Sequence, residues 1–185
     1  MTIAAFVLGV VATVLAAASL AWQVVRLLRR RARPRLTPIV GLLTSDGLVT
    51  NEAGTDVRSA LADAAAKLSS DRFVVGVEVA NAGTAPFHVT GWAIRADPGG
   101  TSLLPIDPPI GGSEVPHEVA PGSSAKFMTE LQRAQRFAEA AQGHEGRPPR
   151  FVLTVSSAAR TYATKPVVPA VFSLGSPQRS GEQPR

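Results

Sequence analysis

The hydrophobic pattern opens with an uncharged stretch that ends abruptly in arginines. Residues 3–25 carry no charged side chain, and residues 26–35 hold six arginines. About 20 apolar residues in a helix cross the ~30 Å hydrocarbon core of a bilayer. Arginines beside such a helix mark its cytoplasmic end. The pattern predicts a transmembrane helix over residues 1–28, with the N-terminus outside, followed by a basic juxtamembrane linker over residues 29–36.

The arginines of this run are the candidate membrane-surface residues: Arg26, Arg29, Arg30, Arg31, Arg33 and Arg35. The simpler interpretation is that they set the topology of the helix. The sharper one is that they bind anionic lipid headgroups, at ~1 kcal/mol per residue near the surface. A cleavable signal peptide is the alternative for the apolar stretch. Its charges, however, precede an apolar core of ~7–15 residues, whereas here the charges follow a longer one.

Small residues recur every four positions along the predicted membrane helix. They are Ala5, Gly9, Thr13, Ala17 and Ala21. Such a stripe lets two helices approach closely, so it predicts a homodimer through this face. Composition is the simpler explanation, because ten of residues 3–25 are Ala, Gly, Ser or Thr.

Beyond the basic run, alternation of apolar and polar residues predicts strands. In residues 73–79 the odd-numbered side chains face the core and Glu78 faces water. A second strand is predicted over residues 87–95, with a bulge at Gly91 that turns Val89 and Trp92 inward. The polar loop between the two strands is short, which predicts that they pair in an antiparallel sheet. Trp92 is expected to fill the core; stacking on a ligand is the weaker alternative.

Helical spacing and turn residues place the remaining elements. Two helices are predicted, over about 56–69 and about 131–142, and a disordered tail over 173–185. Further strands are predicted at 39–44, 102–106, 126–131, 151–155 and 160–164. The order of elements predicts a mainly β fold: an N-terminal transmembrane α-helix, then a small immunoglobulin-like antiparallel β-sandwich over residues 37–172.

Net charge changes meaning once it is located along the chain. The chain has 19 basic and 14 acidic residues, a formal charge of +5. Six of the basic residues lie in 26–35, so the rest of the chain has 13 basic against 14 acidic residues. A nucleic-acid-binding domain spreads basic residues over a folded face, so we expect no nucleic-acid partner. The absence of cysteine excludes disulfides and thiolate chemistry.

Candidate catalytic and metal-binding residues are sparse. The three histidines, His88, His117 and His144, match neither a zinc pattern nor a hydrolase motif. Surface or capping roles explain them more simply than catalysis. The sequence therefore predicts no catalytic residue, metal or cofactor. The loop over 97–117, rich in proline and glycine, is the best candidate for a surface that binds a partner.

Five segments together resemble a known group of proteins. They are LAWQV at 20–24, VEVANAGTAP at 77–86, VTGW at 89–92, PHEVAPG at 116–122 and RTYATKP at 160–166. The chain resembles uncharacterised small single-pass membrane proteins of high-GC Gram-positive bacteria. The resemblance spans roughly residues 15–168, and relative to it the helix at 56–69 is an insertion. It implies a single-pass topology and an immunoglobulin-like domain, and it carries no activity or functional residues over to this chain.

These observations favour a non-enzymatic, membrane-anchored interaction module. Its domain is expected at the inner leaflet, in contact with anionic headgroups and an unknown protein partner. An enzyme with an unrecognised site is the first alternative, and a pocket lined by convergent polar groups would favour it. An exported envelope or adhesion protein is the second alternative, and the topology of the chain discriminates it from the others.

Overall fold

The N-terminal apolar stretch is one long helix. The computed structural model describes residues 2–29, 31–53, 72–106, 108–142, 149–158, 160–167 and 171–172. Helix α1 spans Thr2–Arg29. Its window Phe6–Val25 has a mean hydropathy of 2.0, and none of that window is buried against the domain. The helix is therefore long and apolar enough to cross a membrane, properties that a signal sequence near an N-terminus shares.

The body of the chain is mainly antiparallel β structure. The first sheet has the order β2 (Gly47–Glu52), β1 (Pro34–Thr44), β3 (Arg72–Asn81), β8 (Ser124–Glu130). The second sheet has the order β10 (Arg160–Ala163), β9 (Arg150–Ser157), β5 (Gly91–Asp97), β6 (Ser102–Leu103). A small ribbon pairs β4 (Phe87–Val89) with β7 (His117–Val119). Helix α2 spans Leu131–Gln142, the range predicted from the sequence.

One hydrophobic core joins the two sheets. Its buried side chains come from the first sheet (Val40, Leu42, Val75, Val77, Phe127) and from the second (Trp92, Ile94, Phe151, Leu153, Val155). Period-two alternation puts each of these sets on one face of its sheet. Helix α2 adds Ala134 and Ala138 to the same cluster. Trp92 is 8% exposed, which confirms that it fills the core.

The outer face of the first sheet is also covered. Ile39, Val74 and Met128 are buried there, with Ile110 packed against them. Part of the predicted loop over 97–117 therefore folds back onto the sheet. Alternation in β3 indicated a single buried face. Its other face is covered by Ile110, which is distant in sequence, and a local pattern does not reveal such a contact.

The predicted strand over 87–95 is wrong in its pairing. The predicted strand is interrupted at Thr90. The backbone N–H and the Oγ1 hydroxyl of Thr90 both donate to the carbonyl of Ser156, at 2.9 and 3.1 Å. The first half, β4, pairs with β7, and the second half, β5, pairs with β9. Neither half is a neighbour of β3, which lies between β1 and β8. Val89 and Trp92 are both buried, as predicted.

Strand β1 begins earlier than the predicted strand over 39–44. It starts at Pro34 and takes in residues 34–36 of the predicted linker. Among the described residues, Pro34 to Thr37 pair with β3 alone, because the carbonyl of Pro38 accepts the N–H of Ala53 and β2 pairs with β1 from Ile39 onward. Proline is tolerated where a strand has one free edge. The predicted helix over 56–69 and the predicted tail over 173–185 lie outside the described residues.

Candidate functional site

A buried asparagine organises the end of the domain that meets the helix. Asn81 is 1% exposed. Its Oδ1 accepts the backbone N–H groups of Arg33 at 3.2 Å and Gly83 at 3.0 Å. Its Nδ2 donates to the carbonyls of Ala85 at 2.8 Å and Val119 at 3.0 Å. All the hydrogen-bonding capacity of a primary amide is thus used, as a buried polar group requires.

The segment that leaves the helix is held by the loop over 81–86. The backbone N–H of Thr84 donates to the carbonyl of Arg31 at 3.1 Å, and that of Ala82 donates to the carbonyl of Arg33 at 3.0 Å. A Cβ at Gly83 would overlap the backbone of residues 31–33. This close approach requires glycine. The helix is therefore joined to the domain through a hydrogen-bonded segment.

A cleft of about 390 Å³ opens beside this segment. We call it the helix-proximal cleft, and it is lined by Arg31, Ala32, Pro86, Phe87, His88, Ser157, Arg160 and Tyr162. Phe87 is buried, and its ring meets the ring of Tyr162 edge-on with centroids 5.4 Å apart. Arg31, His88 and Arg160 are exposed. The cleft therefore combines an aromatic floor with a basic rim.

Of the basic residues at the cleft, one has an acidic neighbour in the described part of the chain. Nδ1 of His88 lies 3.4 Å from Oε2 of Glu118, and both side chains are more than half exposed. Among the residues that the structure describes, Arg31 and Arg160 form no ion pair. The lining also contains the hydroxyl groups of Ser157 and Tyr162. Guanidinium groups and hydroxyl groups are donors suited to an anion.

A second cavity of about 410 Å³ lies where β3 begins and α2 starts. Its lining includes Phe73, Val74, Leu131 and Gln135. Arg72, the first residue of β3, also lines it.

The structure separates the arginines of the basic run. Arg31 lines the helix-proximal cleft, whereas Arg33 and Arg35 are exposed residues outside its lining. Arg26 and Arg29 belong to α1, and their side chains lie outside the described part, as does the whole of Arg30.

The small-residue stripe lies along α1, with Gly9, Thr13, Ala17 and Ala21 exposed. The side chain of Ala5 lies outside the description. The hydroxyl of Thr13 donates to the carbonyl of Gly9 at 2.8 Å. This polar group is thus satisfied within the helix, and the stripe presents a largely apolar surface.

The histidines do not come together. His88 lies on the cleft rim, His117 packs edge-on against Phe127 with ring centroids 6.0 Å apart, and His144 lies outside the described residues. Within the described ranges, no three His, Asp or Glu side chains form a group that could hold a metal ion.

Sequence reasoning missed the cleft as a site. Arg31, His88 and Arg160 are far apart in the chain, and no spacing rule connects them. The only signal was indirect, since VEVANAGTAP and RTYATKP were both singled out by the resemblance. Comparison with protein-family models, with curated proteins and with solved structures found no match to this chain.

Proposed function

We propose that this chain is a membrane-anchored, non-enzymatic interaction module. In this proposal α1 spans the membrane with its N-terminus outside, and the β domain is held at the inner leaflet to bind a protein partner. The single observation that carries the proposal is the fixed junction at residues 31–33. In this proposal the apolar helix is followed, two residues after it ends, by a hydrogen-bonded part of the domain, which holds that domain close to the bilayer.

We further propose that the domain is an immunoglobulin-like β-sandwich, related to the small single-pass proteins of high-GC Gram-positive bacteria that the chain resembles. Two four-stranded sheets that contribute to one core support this assignment. The tryptophan on β5, buried between the sheets, is also typical of such domains.

The loop over 97–117 is the proposed surface for a protein partner. Its side chains divide into two groups: Ile110 packs onto the first sheet, whereas Leu104 and Ile106 are 64% and 97% exposed. Val115, near the end of the loop, is 38% exposed. Apolar side chains presented on a loop of a rigid domain are typical of binding surfaces.

The orientation is tested by a reporter fused after Arg185 that is active on only one side of the membrane. We expect a cytoplasmic signal, because the arginine run follows the apolar helix. An external signal would overturn the orientation and favour the envelope or adhesion alternative.

Partner binding is tested with a photocrosslinking residue placed at Ile106 in the full-length chain in cells. We expect a discrete adduct with one protein, lost when Leu104 is replaced by serine. The matched control is the same crosslinker at Val49, a β-branched residue on β2 that is 44% exposed. Identical adducts from both positions would contradict the loop as the binding surface.

A further inference from the structure

We propose that the helix-proximal cleft binds the phosphate group of an anionic lipid headgroup. The inference deepens the proposed function and rests on α1 being a membrane helix. It differs from a general attraction of the arginine run to the membrane, because it assigns a defined site to two arginines distant in sequence, Arg31 and Arg160.

Covalent geometry keeps Arg31, on the rim of the cleft, a short distance from the end of the apolar window. The apolar window ends at Val25 and the helix at Arg29, a rise of about 6 Å at ~1.5 Å per residue. Arg31 is two residues further, which adds at most ~7.6 Å. The headgroup layer of one leaflet is ~5–8 Å thick. The Cα of Arg31 is therefore at most ~14 Å beyond the end of the apolar window, and its long side chain can extend back to the phosphate layer.

The chemistry of the rim fits a phosphate monoanion. A guanidinium presents a planar fork of donors that matches phosphate oxygens, and its charge is retained at every physiological pH. Arg31 and Arg160 supply two such groups, and Ser157 supplies a hydroxyl. Among the described residues that line the cleft, none carries a carboxylate. Glu118 is paired with His88 at the rim.

The floor of the cleft fits the part of a lipid where the polar headgroup meets the acyl chains. Phe87 and Tyr162 provide aromatic surface beneath the basic rim, and Pro86 adds aliphatic surface. Tyrosine is favoured at membrane interfaces because its ring is apolar and its hydroxyl is polar. The volume of about 390 Å³ is within the ~300–1,000 Å³ of small-molecule sites.

The two arginines are attached to ordered backbone. The carbonyl of Arg31 accepts from Thr84, and Arg160 lies opposite Ser157 where β10 pairs with β9. Preorganised donors lose less conformational entropy when they bind than donors on free chain do. This distinguishes the cleft from a flexible basic tail.

The test uses the sole tyrosine of the chain as a probe inside the cleft. The full-length chain, labelled with ¹³C-tyrosine and held in nonionic detergent micelles, is titrated with short-chain phosphatidylglycerol while the Tyr162 ring signal is followed by NMR. Short-chain phosphatidylcholine and inorganic phosphate are titrated in parallel. The double variant Arg31→Gln/Arg160→Gln is compared with Arg33→Gln/Arg35→Gln, which removes the same charge outside the cleft.

We expect a saturable shift with phosphatidylglycerol. The shift with phosphatidylcholine should be much weaker, because its choline cation offsets the charge of the phosphate and is repelled by Arg31 and Arg160. The cleft variant should raise the apparent Kd about tenfold or more, because charge-assisted hydrogen bonds are lost. The control variant should change the apparent Kd about twofold, as exposed charges do. Competition by inorganic phosphate would support recognition of the phosphate group alone. A shift that phosphate does not compete would support recognition of the whole headgroup.

Equal losses of affinity in the two double variants would overturn the proposal that the cleft is the binding site. Equal shifts of the Tyr162 signal with the two lipids would overturn it as well. Circular dichroism of each variant shows that the fold is intact. The micelle titration does not depend on the orientation of the chain in a membrane. If no lipid shifts the Tyr162 signal while the reporter is cytoplasmic, the lipid site is rejected and the proposed orientation stands. A positive titration with an external signal rejects only the orientation.

Discussion

At the scale of single residues, Asn81 explains why several separated segments of the sequence belong together. Its side chain connects the exit from the helix, the loop over 81–86 and strand β7. Its own backbone N–H and carbonyl bind Ser123 and Gly122. A single amide therefore connects the segment that follows α1 to the loop over 81–86 and to β7. A side chain with only donors or only acceptors cannot replace it.

Replacing Asn81 with alanine should destabilise the domain by about 3 kcal/mol, since each buried group left without a partner costs ~1–3 kcal/mol. Thermal unfolding of the full-length chain in detergent, followed by circular dichroism, measures the change. The control is Asn51→Ala, an exposed residue whose side chain bonds only its neighbour Glu52 among the hydrogen bonds described. That change should stay within ~0.5 kcal/mol. Equal effects of the two substitutions would contradict the role of Asn81.

The close approach at Gly83 gives a second residue-scale prediction. In Gly83→Ala the added methyl group meets the backbone of residues 31–33, so the hydrogen bonds that hold this segment should weaken. We expect the amide of Thr84 to exchange with deuterium at least ~10 times faster, which corresponds to ~1.4 kcal/mol of local stability. Gly99→Ala is the matched control, because open space surrounds that position. Unchanged exchange at Thr84 in Gly83→Ala would refute the prediction.

At the scale of elements, strands β3 and β9 show how packing changes the meaning of a pattern. Both have consecutive buried residues along their middle, Val74–Val77 in β3 and Phe151–Val155 in β9. A strand buried on both faces loses its alternation. In β3 the second covering layer includes Ile110, from a loop that begins 16 residues beyond the end of the strand.

Substitutions in the loop over 97–117 should differ in their effect on stability, because part of the loop packs on the sheet and part is exposed. Ile110→Ala should destabilise the chain by about 1–2 kcal/mol, because Ile110 contacts the buried cluster on the outer face of the first sheet. Ile106→Ala, at a position 97% exposed, should change stability by less than ~0.5 kcal/mol. Urea unfolding of both full-length variants measures the difference. Comparable losses would show that Ile106 is also part of the fold.

At the scale of the whole molecule, charge and hydrophobicity are segregated along the chain. The apolar helix comes first, the basic cluster follows it, and the remaining domain is close to neutral. In the proposed topology this order puts the excess positive charge against the anionic leaflet. The domain itself then needs no basic face to stay near the membrane, and its other surfaces are available to a partner.

The proposed homodimer is a property of the whole molecule in the bilayer. Gly9→Leu/Ala17→Leu enlarges the small-residue stripe and prevents close approach of two helices. It should weaken dimerisation about tenfold, which corresponds to ~1.4 kcal/mol. Energy transfer between labelled full-length chains in proteoliposomes measures association. The control Val11→Leu/Ser19→Leu enlarges the opposite side of α1. Equal losses in both variants would reject the stripe as the interface, and no energy transfer in the unchanged chain would reject the dimer.

The sequence by itself determined the features that depend on neighbours along the chain. The extent of α1, its arginine-rich end, α2 and most strands follow from local periodicity and from turn residues, which act over a few positions. The burial of Val89 and Trp92 on either side of a break near Gly91 was also readable, because it depends on local alternation. These properties need no knowledge of which strands meet.

Only the tertiary structure decided which strands pair and which side chains share a site. The exchange of partners at Thr90 depends on hydrogen bonds to Ser156, 66 residues away in sequence. The helix-proximal cleft likewise exists because sheet pairing brings Arg160 to the point where the chain leaves the helix at Arg31. Long-range pairing results from packing of the whole core, and a local pattern contains no record of it, so the candidate site became visible only in the folded chain.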